Sequence, residues 1–455
     1  MDVKILNKTK SLCPVCLSKI NANVIEKENK IIVSKKCSKH GKFECFHAWD
    51  DPFLYKEFMR ISKKKREYVK DSTLNLTSKC NMNCSFCFAT VKNKLYEPES
   101  SVLIEKSKNW GEGCILLYGG EPTLRKDIFK IIKEIKNIGL KVVLLTNGLK
   151  LDKKFVKKLE TAGLNQGLLQ FDSLSDEVNI KMRGRKLLKE KLRAIKNLSE
   201  TSISLTLFVV LIKGVNENQI DEIISFAGRN SDKIKTVIFT PVSPEGDSKN
   251  FRAKHMFNDE IFNKIETEFN IKKEDFIDCT DFDITFSNFL YKLGIKRKSS
   301  APCEALCYVL VNKDKLIPFN KLIELKEFTK ILDDIINNEK SRGKAIASLF
   351  TSIFKRKLKI NILLLPFLFQ VLSSITIAFF NKRTMKNKFN KSFGIIVNPS
   401  QDRYNIDYNF INKCNLYSDT IDNKFIPFCE NNIISTKPKN PNKLNKTFFS
   451  NHFIS

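Results

Sequence analysis

From about Ser72 onward the chain repeats one unit: a short strand-like run, a loop, and an amphipathic, lysine-bearing helical stretch. The strand-like runs are Thr73–Leu76, Cys114–Tyr118, Val142–Leu145, Leu168–Phe171, Ile203–Leu211 and Thr236–Thr240. Helical patterning fills the gaps, as at Lys126–Ile138 and Lys153–Thr161. Six strands alternating with helices bury their apolar faces as a parallel sheet with right-handed crossovers. The fold class is therefore α/β, a partial (β/α)6 barrel over residues 70–250. In such a barrel the reactive side chains collect at the C-terminal ends of the strands.

Three further parts flank this core. Residues 1–60 predict a small metal-binding module. There Cys13-Pro-Val-Cys16 has knuckle spacing, and Cys37-Ser-Lys-His40-Gly41 supplies a second turn after a strand-like Lys30–Val33. Residues 251–435 are expected to form a substrate-binding region: 250–345 reads as mixed, with helical segments around Cys303 and Cys307, followed by an apolar helix at 360–380 and a compact cysteine-bearing stretch, Phe393–Asn432. Residues 436–455, rich in Lys, Asn and Pro, are expected to form a flexible tail.

The motifs that carry chemistry all follow strands. Cys80-Asn-Met-Asn-Cys84-Ser-Phe-Cys87 comes directly after the first. Three thiolates at this spacing can ligate three irons of a 4Fe–4S cluster. The fourth iron then stays open to the amino and carboxylate groups of S-adenosylmethionine. An electron delivered to the bound sulfonium breaks a C–S bond and yields the 5′-deoxyadenosyl radical. A zinc loop, or three unrelated cysteines, is the plain alternative on spacing alone. The second strand leads into Gly119-Gly120-Glu121-Pro122, the third ends on Thr146-Asn147-Gly148, and the fourth on Gln170-Phe171-Asp172. Glycines allow close approach of the main chain to a ligand, and a carboxylate suits an ammonium group.

A strand, a CxxxCxxC run with Phe86 in its aromatic slot, and GGEP after the second strand together resemble the radical SAM superfamily. The resemblance implies that Cys80, Cys84 and Cys87 hold the cluster. It also implies that Gly119, Gly120, Glu121 and Pro122 receive the cofactor's amino group, and that Thr146, Asn147, Gln170 and Asp172 stand where its other contacts are expected. The likeness continues through Arg183-Gly184-Arg185, Gly214-Val-Asn216, Lys273-Glu-Asp-Phe276, Cys303-Glu-Ala-Leu-Cys307 and Ile426-Pro-Phe-Cys429-Glu-Asn-Asn432. That order is similar to the branch containing tetraether lipid synthase, whose members have also been labelled dihydropterin methyltransferases. By this resemblance Cys13, Cys16 and Cys37 would ligate a mononuclear iron or zinc, with Cys114 the favoured fourth ligand and His40 and Cys45 its competitors. Cys303, Cys307, Cys414 and Cys429 would supply one auxiliary 4Fe–4S cluster. Of thirteen cysteines, only Cys45 and Cys279 would then be spare, too few for a second auxiliary cluster.

The formal net charge of +29 is spread along a chain rich in Lys, Asn, Ile and Phe, which fits compositional bias. No basic element with interleaved aromatics suggests a specific nucleic-acid partner. Grouped cysteines and an N-terminus without a signal-peptide pattern point to metal ligands in the cytoplasm. Ile360–Phe380 carries no charge and has membrane-spanning length, but Cys303/Cys307 precede it and Cys414/Cys429 follow it. One cluster shared by both pairs forbids a single span, which leaves a buried helix or a peripheral helix on the cytoplasmic membrane face. The functional expectation is an enzyme that abstracts hydrogen from an unactivated carbon of a lipid chain, with a reductant such as ferredoxin or flavodoxin. The alternatives are a radical methyltransferase acting on a pterin-like small molecule, a peptide-modifying enzyme, and a non-catalytic electron-transfer protein.

Overall fold

The computed structural model describes residues 3–435 except 65–69, 90–95, 112, 246–253, 255, 296, 298–300, 302, 314, 340, 356–390, 400 and 420–423. The apolar helix expected at 360–380 and the tail at 436–455 lie outside the described residues. Among the described residues, no helix is long and apolar enough to cross a membrane.

Four antiparallel strands open the chain: β1 (Lys4–Leu12), β2 (Lys19–Lys27), β3 (Lys30–Cys37) and β4 (Gly41–Phe46). Helix α1 (Pro52–Ser62) follows, its start fixed by Asp51, which accepts the Leu54 N–H at 2.8 Å.

The core then alternates as its periodicity requires. Its elements are β5 (Asp71–Asn75), α2 (Ser100–Trp110), β6 (Cys114–Tyr118), α3 (Ile128–Asn137), β7 (Lys141–Thr146) and α4 (Lys153–Ala162). They continue with β8 (Gln166–Gln170), α5 (Asp176–Arg183), α6 (Leu188–Ser199), β9 (Ser204–Leu211), α7 (Ile220–Arg229) and β10 (Ile234–Pro241). Strands β5 to β10 are parallel and adjacent in chain order. The helices dock through apolar stripes at helical spacing, as Ile128, Ile131, Ile132 and Ile135 show in α3. Helix α4 is closed at both ends, by Asp152 accepting the Phe155 N–H and by Gly163 at φ +95°.

The remaining chain supplies α8 (Asn258–Phe269), α9 (Lys273–Lys292), β11 (Ala305–Asn312), β12 (Lys315–Pro318), α10 (Leu325–Asn338), α11 (Arg342–Lys355) and β13 (Ser392–Val397). It ends with β14 (Leu416–Asp419) and β15 (Phe425–Pro427), preceded by the helix Tyr408–Ile411 and followed by the helix Phe428–Ser435. These strands extend both edges of the barrel sheet, which runs β12-β11-β13-β10-β9-β8-β7-β6-β5-β14-β15. Strand β13 pairs in parallel with β10, and β14 in parallel with β5. The C-terminal chain thus covers two strand edges that a six-stranded open barrel would expose. The segment around Cys307, read from sequence as helical, is strand β11.

Candidate active site

The Cys80–Cys87 loop is built on the end of β5 and locked to the end of β6. Gly120 N–H donates to Thr77 O at 2.6 Å, and Glu121 N–H to Lys79 O at 2.7 Å. A Cβ on Gly119, which sits at φ +140°, would collide with the Thr77 carbonyl oxygen, and one on Gly120 with the Lys79 carbonyl oxygen. The paired glycines therefore let the loop bearing the thiols lie directly on the strand end. Arg125 secures the same place by donating to Leu76 O (2.8 Å) and Pro98 O (2.9 Å).

Within the loop Cys80 is exposed, Cys84 buried and Cys87 half-buried. The Met82 N–H donates to Cys80 Sγ at 3.4 Å. Burial pushes the Cys87 thiol up to about 11, opposed by a main-chain donor at Ala89 and reinforced by Cys84 and Cys80. Cys80 and Cys87, both pushed up by burial and by the neighbouring Cys84, are better accommodated as metal-bound thiolates than as free acids. The donor set fits an iron–sulfur cluster.

Glu121, 1% exposed, ties the strand ends together. Its Oε1 accepts Thr123 N–H (3.1 Å), Thr123 Oγ1 (2.6 Å) and Thr146 Oγ1 (2.7 Å), while Oε2 accepts Asn147 N–H (2.7 Å). Asn147 Nδ2 then donates to Asn81 Oδ1 at 2.7 Å, linking the tip of β7 to the cysteine loop. Asp172 is buried and accepts Arg183 Nε (2.7 Å), Val210 N–H (3.0 Å) and the Gln170 side-chain amide.

Two residues not anticipated as site residues complete this end of the barrel. Arg183, at the end of α5, donates to Cys84 Sγ at 3.2 Å while its guanidinium lies 4.3 Å from the centroid of the Phe86 ring. Lys191 projects from α6 and donates to Asn147 O (2.7 Å), Gln170 O (2.6 Å) and Gln170 Oε1 (2.6 Å). Its signal in the sequence is position: Lys191, Ala194, Ile195 and Leu198 share the buried face of α6, where a lysine needs buried acceptors.

In the N-terminal module Cys13, Cys16, Cys37 and His40 bring their ligand atoms within 4.8 Å of one another. His40 Nδ1 lies 3.5 Å from both Cys13 Sγ and Cys37 Sγ. This suits a single tetrahedral ion. The fourth position expected for Cys114 thus goes to His40. Cys114 begins β6, in a different sheet, and lines the barrel cavity instead. Cys45 is fully buried beside the group, in an apolar cluster with Phe43 and Tyr404.

The barrel interior encloses a cavity of about 420 Å³. One wall carries Phe86 and Phe88 from the cysteine loop; inward-facing strand residues such as Gln166, Thr206 and Phe208 form the sides. Cys303, Cys414 and Cys429 reach the same cavity, but Cys307 does not. Leu306 and Tyr308 face the cavity, so the two-residue alternation of β11 turns Cys307 to the opposite face, where it meets Cys279 of α9. The four-cysteine auxiliary set expected from sequence is therefore three cysteines at the cavity and one in the core.

Two family models match stretches of the chain that coincide with the barrel and the N-terminal module. A model of the Radical SAM superfamily matches residues 74–227, and one described as the HMPTM N-terminal zinc ribbon domain matches residues 5–48. A 7,8-dihydro-6-hydroxymethylpterin dimethyltransferase of Methanocaldococcus jannaschii is 30% identical over 480 aligned positions, covering 94% of this chain and 93% of that protein. The Fe-coproporphyrin III synthase of Methanosarcina barkeri is 33% identical over 35% of this chain and 40% of its own length. Among solved structures, Streptococcus suis SuiB bound to precursor peptide SuiA matches with a TM-score of 0.39 at 18% identity, covering 47% of this chain and 50% of that one.

Proposed function

This chain belongs to the radical SAM superfamily, and we propose that it is a methyltransferase acting on a pterin-like small molecule. The observation that carries the reading is the nearly end-to-end likeness to an enzyme named as a dihydropterin dimethyltransferase. The cavity supports it: about 420 Å³ suits a ring system, and Gln166, Thr206, Asp283 and Tyr308 offer polar partners among apolar walls. The lipid-chain reading rested on branch resemblance, which the pterin enzyme shares, and on the apolar stretch at 360–380, which lies outside the described residues. The pterin alternative therefore takes precedence.

Cys80, Cys84 and Cys87 would hold the 4Fe–4S cluster, which when bound supplies the electron that splits S-adenosylmethionine. The chain's own residues shape the site around it. Arg183 steadies the Cys84 thiolate through its N–H donor and is itself held by Asp172. The main chain at Gly119 and Gly120, with Pro122 and the carboxylate of Glu121, frames the place for the cofactor's ammonium. Thr146, Asn147 and Gln170 present the neighbouring strand ends, stapled by Glu121 and Lys191. Phe86 separates the loop from the barrel cavity, so a substrate ring in that cavity lies next to the radical source. A reductant such as ferredoxin or flavodoxin would approach from the side of exposed Cys80. The zinc-ribbon match supports zinc as the ion of Cys13, Cys16, Cys37 and His40.

The test uses the full chain, reconstituted anaerobically with iron and sulfide and supplied with S-adenosylmethionine, dithionite and 7,8-dihydro-6-hydroxymethylpterin. The expected product is a methylated pterin by mass spectrometry, its methyl supplied by a second S-adenosylmethionine that leaves as S-adenosylhomocysteine, while the first yields 5′-deoxyadenosine and methionine. Formation of 5′-deoxyadenosine while the pterin stays unaltered would overturn the substrate assignment, and modification of added phospholipid would restore the lipid reading.

A further inference from the structure

Strands β10, β13 and β11 lie side by side and give the barrel cavity one of its walls. The two-residue alternation turns Thr236, Ile238 and Thr240 of β10 to that wall, with Leu306 and Tyr308 of β11. Between them come Ile396 of β13 and, one residue past its end, Asn398. The register sets Ile238 beside Ile396 and Ile396 beside Leu306, so three aliphatic side chains form an apolar row across the wall.

Polar groups border this row on both sides. Toward the C-terminal strand ends the β10–β13 ladder runs one bond further, with Asn398 N–H donating to Phe239 O at 2.9 Å. Asn398 therefore stands next to Thr240, at the strand spacing of about 4.8 Å. On the other border Tyr308 is opposite Gly394, which is itself opposite Thr236.

The two borders differ in how far they are already satisfied. Tyr308 donates to Asp283 Oδ1 at 2.8 Å, and Arg297 Nη2 reaches both Asp283 Oδ1 (2.6 Å) and the Tyr308 hydroxyl (3.0 Å). Elsewhere in the cavity Gln166 Nε2 donates to Thr206 Oγ1 at 2.8 Å. By contrast the Thr240 hydroxyl is buried with no hydrogen-bond partner, and among the described residues the Asn398 side-chain amide has none either. Polar groups left unpaired in a cavity wall cost free energy that a ligand bringing their partners offsets. An asparagine amide presents an acceptor and a donor side by side in one plane. Its complement is a ring with an N–H next to a carbonyl, a cyclic amide.

We propose that Asn398 and Thr240 recognise the lactam edge of the substrate ring. Asn398 Oδ1 accepts the ring N–H, and Asn398 Nδ2 donates to the adjacent ring carbonyl. The Thr240 hydroxyl, turned by one χ1 step, donates to the same carbonyl. The ring face lies on Ile238, Ile396 and Leu306. That the lactam belongs to a pterin rests on the function proposed above. The dimensions agree: Thr240 and Thr236 are four residues apart on one strand, about 13 Å. A hydrogen bond of roughly 3 Å at each end leaves about 7 Å, the length of two fused six-membered rings with a short substituent. An alkyl chain in the same place would leave Asn398 and Thr240 unpaired, so this border selects a polar ring.

The experiment measures binding and not turnover. Full-length protein reconstituted anaerobically with iron and sulfide is titrated by calorimetry with three compounds: 7,8-dihydro-6-hydroxymethylpterin, its N3-methyl analogue, and lumazine, which keeps the lactam edge but lacks the amino and hydroxymethyl groups. Wild-type protein should bind the pterin and lumazine, and should bind the N3-methyl analogue about tenfold more weakly, because a methyl replaces the N–H. Asn398→Ala should weaken the pterin about tenfold and abolish its advantage over the N3-methyl analogue. Thr240→Val, nearly isosteric, should weaken the pterin several-fold and leave that advantage in place. Circular dichroism and iron content identify a variant that has lost its fold, and Asn398→Leu provides a second substitution of similar volume. Discrimination that persists in folded Asn398→Ala and Asn398→Leu overturns the assignment while the pterin reading stands. Asn398-dependent affinity for lumazine without affinity for the pterin keeps the lactam site and removes the pterin reading. Binding of neither ring by wild-type protein overturns both.

Discussion

Replacing Lys191 with methionine tests whether a buried amine staples the strand ends that would receive the cofactor. Lys191 is 1% exposed, and its Nζ serves Asn147 O, Gln170 O and Gln170 Oε1. Methionine has similar length, so the variant loses hydrogen bonds more than packing. Each buried acceptor left without a donor costs roughly 1–3 kcal/mol. An opposite term arises because burial, with Arg183 acting in the same direction, pushes Lys191 from its ordinary 10.5 down to about 7 despite Asp172, Glu121 and Cys84. At about 1.4 kcal/mol per pK unit, carrying this residue costs the folded wild type on the order of 4–5 kcal/mol at and below neutral pH. Between about pH 7 and 10.5 the unfolded chain holds the proton that the folded one has released, so wild-type stability rises with pH across that window. Lys191→Met lacks that rise. Near neutrality its lost hydrogen bonds and its relieved charge roughly cancel, whereas at about pH 10 it should be less stable than wild type by several kcal/mol. Thermal unfolding of both proteins from about pH 7 to 10 should therefore show a gap in Tm that widens with pH. A gap that stays constant over the window would refute the argument.

Gly120→Ala should destabilise the cysteine loop by a few kcal/mol, because the new methyl meets a main-chain oxygen that cannot move aside; reduced Tm and reduced iron retention are the readouts. Arg183→Met removes donors to Asp172 and to Cys84 Sγ together, and should lower the rate of 5′-deoxyadenosine formation at least tenfold while bound iron stays near the wild-type amount. His40→Ala or Cys37→Ala should release the metal of the N-terminal module by elemental analysis, whereas His40→Cys and Cys114→Ser should retain it.

What the sequence showed plainly was whatever rests on period and adjacency. Strand β6 spans the same residues in both readings, Cys114–Tyr118, because an apolar run bounded by glycines has few other options. The motifs at Cys80–Cys87, Gly119–Pro122, Thr146–Asn147 and Gln170–Asp172 follow successive strands, so a parallel sheet had to gather them at one end. Ligand sets drawn from distant segments were less legible. The family resemblance favoured Cys114 over His40, although His40 stands three residues after Cys37. Only the separate sheets of the module and the barrel decide between them. The place of Cys307 turns on a local reason: helical segments are expected around Cys303 and Cys307, whereas the Tyr-Val-Leu-Val run after Cys307 forms a strand, which sets Cys307 opposite Leu306 and Tyr308. Arg183 stood in a motif without an assigned contact, and its role appears only when α5 carries it over Phe86.

The N-terminal module bears on the barrel through the segment that leads to Cys414. Thr9 Oγ1 donates to Asp407 Oδ1 at 2.5 Å, and His47 Nε2 lies 3.3 Å from Asp407 Oδ2 with both side chains fully buried. Lys35, also buried, donates to Ser11 Oγ (2.9 Å), Arg403 O (3.2 Å) and Tyr404 O (2.7 Å). Arg403 in turn holds Glu245 of the cavity wall, with Nε at 3.0 Å from Oε1. Tyr404 packs against Cys13 and Cys37, so the side chains that would grip the module's ion also form the surface on which this segment lies. Lys35 sits between two charge environments. Burial lowers its pKa, while Cys45, Asp402 and Cys13 raise it. Both Cys13 and Asp402 are thus coupled to the same ammonium, and Asp402 in turn accepts the N–H groups of Tyr404 and Asn405. An ion that fixes Cys13 as a thiolate favours the charged form of Lys35 and with it the bonds to Arg403 and Tyr404. The module is therefore more than an appended ribbon: a metal held by Cys13, Cys16, Cys37 and His40 would help set the backbone from which Gln401 and Cys414 face the cavity.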